Sequence, residues 1–351
     1  MVYALVVLFV TSGRGDEHQA AEWIHQAYRF SQRSRQGNPL LGLVTPLERM
    51  LQEPGASLSA FESLLDSQDP WVRALARWQL GKMRTMLGQG GRDAEANLEI
   101  ALAEFQALGE RYGISLALTE LAEQSAMRGE FAVACEHYER AVAVITEVGA
   151  TEDVIQLRTR QAQMYWLKGD QDASAAAIAE AERYADGVTW PDALVELALA
   201  KVELARWGGD AEEARHQLAV ATTLLGDDAE RANFRVELHD VLGYLAGDLS
   251  EARTHRVAAW QAASEAGIAP LIAKALVGFA DLALRCGQYE QAARLLAASV
   301  GVRGLPDRSH PDAARIERDA RRHLGEARFA EVTQEGAQTS WSQLVEVMLA
   351  S

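Results

Sequence analysis

Glycines at positions 129, 169, 209, 247 and 287 recur at intervals of 40, 40, 38 and 40 residues. Gly15 and Gly55 extend the series backwards, and Gly88 with Gly90 fills its gap. Each glycine carries apolar residues at fixed distances. In the clearest copy these are Leu121-Ala122 before Gly129, then Phe131, Ala134, Tyr138, Ala141 and Val142. Self-similarity at a period of about 20–50 residues means stacked supersecondary units, none of which can bury its apolar face alone. The series therefore predicts an all-α, right-handed superhelical solenoid of about eight helical hairpins with a C-terminal helical cap.

The turns have a local logic. Gly takes a left-handed helix C-cap, and the Asp of Gly169-Asp170, Gly209-Asp210 and Gly247-Asp248 can accept the free amides of the next helix. The first hairpin is placed at Met1–Thr11 and Glu17–Gln36 around a turn at Gly13–Asp16. Residues 37–70 form a degenerate repeat, broken by Pro39, Pro46, Pro54 and Pro70. After Gly301 the period stops, and Gly304–Pro311 is a loop. Three short helices follow, at 312–324, 326–334 and 339–349. The domain boundaries expected are thus a repeat array over 1–302 and a cap over 303–351.

Composition narrows the function classes. The 351 residues carry a formal charge of −16, which opposes a surface built to track phosphates. Arg315, Arg318, Arg321 and Arg322 interleave with Asp312, Glu317 and Asp319, the pattern of a solvated helix. Direct DNA binding and a membrane partner are not expected. Two cysteines, Cys135 and Cys286, give no disulfide framework and fit a reducing cytoplasm. The apolar start, Met1–Val10, lacks the basic flank of a signal peptide.

Catalytic chemistry finds no footing. The eight histidines show no His-Glu-x-x-His and no metal-ligand spacing, and Gly88–Gly91 lacks the Gly-Lys-Ser/Thr of a phosphate loop. No enzyme activity, catalytic residue, metal or cofactor is expected. Binding is the natural use of a curved array, whose first helices line a concave groove. The expected groove residues are Gln156, Thr159, Gln163 and Trp166, then Glu203 and Arg206, then Glu237 and Tyr244, and Asp281. A polar set around aromatics suits a protein, a peptide or a small effector. Trp166 and Tyr244 each precede a repeat glycine by three residues, so both either face the groove or pack as core.

One repeat breaks the pattern. In the Gly247 frame, His239, Asp240 and Arg256 stand where Leu121, Ala122 and Tyr138 stand around Gly129. A register shift is the favoured reading, because Leu238, Val241, Leu242 and Leu245 already make an apolar face. The sharper alternative is an Asp240–Arg256 ion pair between the two helices.

These units resemble tetratricopeptide repeats, with a period near 40 instead of the usual ~34. Two stretches narrow the likeness: Ala103–Ala117 leading into Arg128-Gly-Glu-Phe131, and Ala292–Ala298 followed by Leu324–Phe329 and Leu344–Ala350. Both look like the C-terminal repeat region of large actinobacterial multidomain transcription regulators. Those are similar to antibiotic-pathway activators that join a winged-helix domain, an activator domain and an NB-ARC ATPase to a repeat tail. The resemblance implies a non-catalytic ligand- or protein-binding domain, the sensor or interaction tail of a signal-responsive regulator. The sequence contains no DNA-binding or ATPase domain, so a fragment, a truncated product and a stand-alone adaptor or scaffold all stay open.

Overall fold

A computed structural model describes residues 21, 22, 24–29, 39–52, 54–188 and 191–350. Met1–Thr11 and the turn at Gly13–Asp16 lie outside the described residues, and so do residues 30–38 and Trp190. Residues 21–29 are helical where described, with Ile24 buried. A 3-10 turn at Pro39–Leu43 leads into two nine-residue helices, α1 (Val44–Gln52) and α2 (Pro54–Glu62). Pro46 and Pro54 both fall in first turns, where the missing amide is no loss.

Six longer hairpins follow. They are α3 (Pro70–Met86) with α4 (Arg92–Leu108), α5 (Arg111–Met127) with α6 (Phe131–Val148), and α7 (Thr151–Lys168) with α8 (Gln171–Ala185). Next come α9 (Pro191–Trp207) with α10 (Ala211–Leu225), α11 (Ala232–Leu245) with α12 (Leu249–Ala266), and α13 (Ala269–Arg285) with α14 (Tyr289–Arg303). Three further helices, α15 (Pro311–Leu324), α16 (Glu326–Gln338) and α17 (Trp341–Ala350), pack on α13 and α14. No strand occurs among the described residues. The protein is an all-α solenoid of helical hairpins.

Fixed positions in each repeat explain the packing. Five residues after the repeat glycine stand Ala134, Ser174, Ala214, Ala252 and Ala292, all buried. Seven before it stand Ala122, Ala162, Val202, Asp240 and Ala280, also buried. Small side chains there let the two helices of a hairpin approach closely. Larger apolar residues then join each hairpin to the next, so the core runs along the array as a relay of clusters.

The predicted caps are present. Asp170, Asp210 and Asp248 accept the amides of Ala173, Glu213 and Glu251. Gly169, at φ 89°, closes α7 with a bond from the Asp170 amide to the Tyr165 carbonyl. Gly247 departs from the expectation and is not left-handed. Here α11 stops early, Ala246 is extended, and the Gly247 amide is taken by the Glu251 carboxylate instead. A capping box on α12 replaces the C-cap.

The loop Gly304–His310 does more than connect. It runs back across the superhelix to the α3–α4 and α5–α6 turns and ties the C-terminal end of the array to them. The Arg308 amide donates to the Met127 carbonyl at 2.8 Å. Gly88 and Gly304 meet backbone to backbone: a β-carbon on Gly88 would strike the Val302 carbonyl, and one on Gly304 would strike Gly88. Leu305 covers Gly90, and the Arg308 side chain lies on Gly129. On the other side Arg303 donates to the Pro270 carbonyl at 3.2 Å. The repeats have turned far enough for residue 308 to touch residue 127, and the loop is a strap.

Candidate functional site

The concave side is lined by the first helices of the repeats, and the strap borders it at one end. A cavity of about 760 Å³ takes side chains from α7, α9, α11 and the start of α13, with Met86 and Tyr112 facing from α3 and α5. Pro270 and Met86 are 184 positions apart and line the same space. Two smaller cavities of 430 and 220 Å³ continue it towards the strap and the middle of the groove. They share Met86, Tyr112, Gln156 and Pro270 with it on one side, and Glu196, Leu199 and Glu237 on the other.

The expected groove residues fall on this face in two groups. Gln156, Thr159, Gln163, Glu203 and Glu237 line the cavities. The Thr159 hydroxyl is turned to its own helix, donating to the Ile155 and Gln156 carbonyls. Glu237 is engaged by the Lys274 ammonium. Trp166 lies beside Trp207 of the next repeat, with ring centroids 5.2 Å apart.

Arg206, Tyr244 and Asp281 belong to a different arrangement, to which Glu203 also connects from the edge of the cavity. The Arg206 guanidinium bonds Glu203 at 2.6 Å and Asp312 at 2.8 Å. Asp312 bonds Arg315 at 3.1 Å, and Arg315 bonds Asp281 at 2.6 Å. Asp281 reaches Arg256 at 3.4 Å, and Arg256 bonds Asp240 at 2.5 Å. Charges therefore alternate through seven side chains drawn from α9, α15, α13, α12 and α11. The relay locks the first turn of α15 into the array, and it corrects two expectations. Arg315 is more than a solvated helix cation: its side chain, 37% exposed, reaches in to buried Asp281. Tyr244 offers no free ring face: the Arg206 and Arg256 guanidinium carbons stand 4.3 and 3.9 Å from its centroid, and the His310 ring lies close by.

The favoured register shift is also corrected. Asp240 and Arg256 hold the interior positions that Ala122 and Tyr138 hold elsewhere, and both are fully buried. Room for the guanidinium comes from Gly243 on α11 and Gly278 on α13, where a β-carbon would sit 2.8 and 2.7 Å from Arg256 atoms. The apolar residues Val241, Leu242 and Leu245 pack on α9 and α10 without any slip.

Electrostatics follow from the geometry. Burial opposes the charge on Arg256 and Arg206, yet the neighbouring carboxylates outweigh it and hold both guanidinium groups firmly charged. Burial opposes the charge on Glu203 and Asp312 too, but Arg206 leads the groups that keep both carboxyls below the ordinary range. Burial lowers the His239 and His255 imidazoles, whose Nδ1 atoms lie 3.2 Å apart at the edge of the α11–α12 hairpin.

Among the described residues no group of His, Cys, Asp or Glu is placed to hold a metal ion. No described helix is long and apolar enough to cross a membrane. No family model matches the chain, and no curated protein matches it. A solved structure does: the Signal Transduction ATPase with Numerous Domains (STAND) protein with a tetratricopeptide repeat sensor from Pyrococcus horikoshii. It is 13% identical over 95% of this chain, with a TM-score of 0.50. At that identity the likeness is one of fold, a solenoid of the tetratricopeptide kind. This chain spans 50% of the length of that protein.

Proposed function

We propose that this chain is a non-catalytic binding domain whose concave chamber takes a small effector, and that it serves as the sensor tail of a signal-responsive transcription regulator. The observation that carries the reading is the concave cavity. First helices of successive repeats converge on this one preformed space. Its volume, about 760 Å³, is within the range of small-molecule sites. Gln156, Thr159, Gln163, Glu203 and Glu237 are the proposed lining residues for contact. Trp166, Arg206, Tyr244 and Asp281 are proposed to hold the groove in shape around them. The regulator context is supported by the sequence resemblance. It is also supported by the architecture of the Pyrococcus protein, whose repeat sensor is one part of a longer chain.

Two measurements test this. A thermal-shift screen of small effectors against the parent and an Asn233→Trp variant, which fills the cavity from an exposed position, reports on the chamber. A true ligand raises the parent's melting temperature with its concentration and leaves the filled variant unmoved. Absence of any such ligand across chemical classes overturns the effector reading. Sequencing the DNA upstream of the Met1 codon tests the regulator. An in-frame ATPase with a Gly-Lys-Ser/Thr loop supports it, whereas an independent promoter and ribosome-binding site make the chain a stand-alone adaptor.

A further inference from the structure

The lining of the main cavity is lopsided in charge. It carries the carboxylates of Glu152, Asp153, Asp192, Glu196, Asp228 and Glu237. Against them stands one guanidinium on the same wall, Arg231, already held by Asp228 at 3.0 Å. Glu196 and Glu237 are partly offset from outside the cavity, by Arg160 and Lys274, and Asp153 and Asp192 also have partners of their own, so the excess of negative charge is a matter of the whole lining and not of any one free carboxylate. Glu196 still keeps one buried oxygen without a hydrogen-bond partner. The rest of the wall is apolar, with Met86, Val195, Leu199, Phe234 and Leu271 prominent.

We infer that the chamber binds an organic cation with an apolar body: an amine or quaternary ammonium compound of drug-like size. The inference rests on the reading above that the chamber takes a small effector, and adds the chemical class. Three physical facts select that class. Removing an apolar body from water onto this wall is favourable in proportion to the area buried. A carboxylate or phosphate entering the same space meets several like charges in a partly desolvated setting, where water screens them poorly. An ammonium meets the opposite field, and the rings of Tyr112 and Phe234 offer it further attraction. A neutral ligand gains the first term alone. Met86 and Tyr112 face Pro270 across the cavity, so the apolar body of a ligand is contacted from separated stretches of the array while the carboxylates hold its charged end.

Three matched fluorescent probes test the class. Dansylcadaverine carries an ammonium, its N-acetyl derivative is neutral, and dansyl-aminocaproate is a carboxylate. On the full chain, dansylcadaverine is expected to bind about tenfold more tightly than the neutral probe, the scale of one moderately screened charge contact. The carboxylate is expected to bind least. Glu152→Gln combined with Asp192→Asn should abolish the amine's advantage and leave the neutral probe unchanged. Arg231→Gln should tighten the amine, a gain that partial unfolding cannot imitate. Melting curves of both variants confirm that the fold persists. Equal binding of all three probes, a preference for the carboxylate, or a uniform loss in the Glu152/Asp192 variant overturns the inference while leaving the chamber as a binding site. If none of the probes binds, the inference falls, and the wider reading is judged by the thermal-shift screen alone.

Discussion

The guanidinium of Arg256 lies 2.5 Å from the carboxylate of Asp240, with both side chains 1% exposed. A buried pair of this kind returns little net stability, because desolvating two charges offsets most of their attraction, but losing one partner strands the other. Arg256→Leu or Asp240→Ala alone should therefore destabilise the protein by about 3–5 kcal/mol in denaturant titration. The double change restores the small and large residues of the other repeats and should recover much of that loss. Additive single effects would show that the two residues do not act as a pair.

Gly278 supplies an independent check on the same relationship. A β-carbon there would lie 2.7 Å from Arg256 Nη1 and 3.0 Å from Asp240 Oδ1. Gly278→Ala improves helix propensity by about 1 kcal/mol, yet it should destabilise the parent. In the Asp240→Ala/Arg256→Leu background the penalty should shrink. The same thermal melts read both effects.

What could be read from the sequence follows from range. Turns, caps and the small residues around each glycine depend on neighbours within one repeat, and their periodicity shows them. The exchange of Ala and Tyr for Asp240 and Arg256 was also visible. Local sequence favours a slipped register there, because the compensating glycines, Gly243 and Gly278, lie in two different helices, one of them in the next repeat. The face shared by Glu203, Arg206, Tyr244 and Asp281 was legible, since they stand six or three residues before a repeat glycine. Their partners were not. Asp312 and Arg315 sit beyond the last repeat, and the strap's landing on Gly88 and Met127 depends on small rotations summed over several hairpins. No local pattern encodes that sum.

The strap makes its own prediction. Gly88 and Gly304 have φ of +71° and +83°, and each would drive a β-carbon into the other segment's backbone. Alanine at either position should detach the strap without unfolding the repeats, which pack pairwise. Small-angle scattering should show an expanded particle. The Arg308 amide, bonded to Met127 in the parent, should exchange its hydrogen much faster. A scattering profile identical to the parent's would mean that the strap does not hold the curvature.

Asp312 anchors the other end of the strap, and its tie is sensitive to acid. Its carboxyl is held below the ordinary value of 3.8 by Arg206, His310 and Arg315 against the pull of burial. A carboxyl lowered in the folded state contributes stability that is complete above its unfolded value and is lost as pH falls through the folded one. Asp312→Asn should cost about 1–3 kcal/mol at neutral pH, the scale of hydrogen bonds to a charged partner. The gap between parent and variant should stay constant down to about pH 5 and close below about pH 4. A gap that persists in acid would assign Asp312 a role other than its charge.

His239 and His255 set a second pH dependence, in a higher window. Their rings lie 5.4 Å apart at an interplanar angle of 29°, and the Nδ1 atoms, 3.2 Å apart, share one hydrogen bond. That bond needs one ring to donate and the other to accept, so it exists only while at least one imidazole is neutral. Burial is the main force lowering both; His255 and then Arg235 also lower His239, while on His255 Arg256 acts against Glu251. For an imidazole lowered in the folded state, the unfolded chain takes up protons first. Stability from the pair is therefore complete above the ordinary value of 6.5 and declines as pH falls through it. The melting temperature should drop between about pH 7.5 and pH 5, where histidine titrates. His255→Gln keeps a hydrogen-bonding side chain beside His239 but removes one of the two titrating rings, so it should flatten that drop. Nuclear magnetic resonance titration of the two rings would give the sign directly. If either imidazole titrates above 6.5 in the folded protein, the pair stabilises the acid form and the predicted slope reverses.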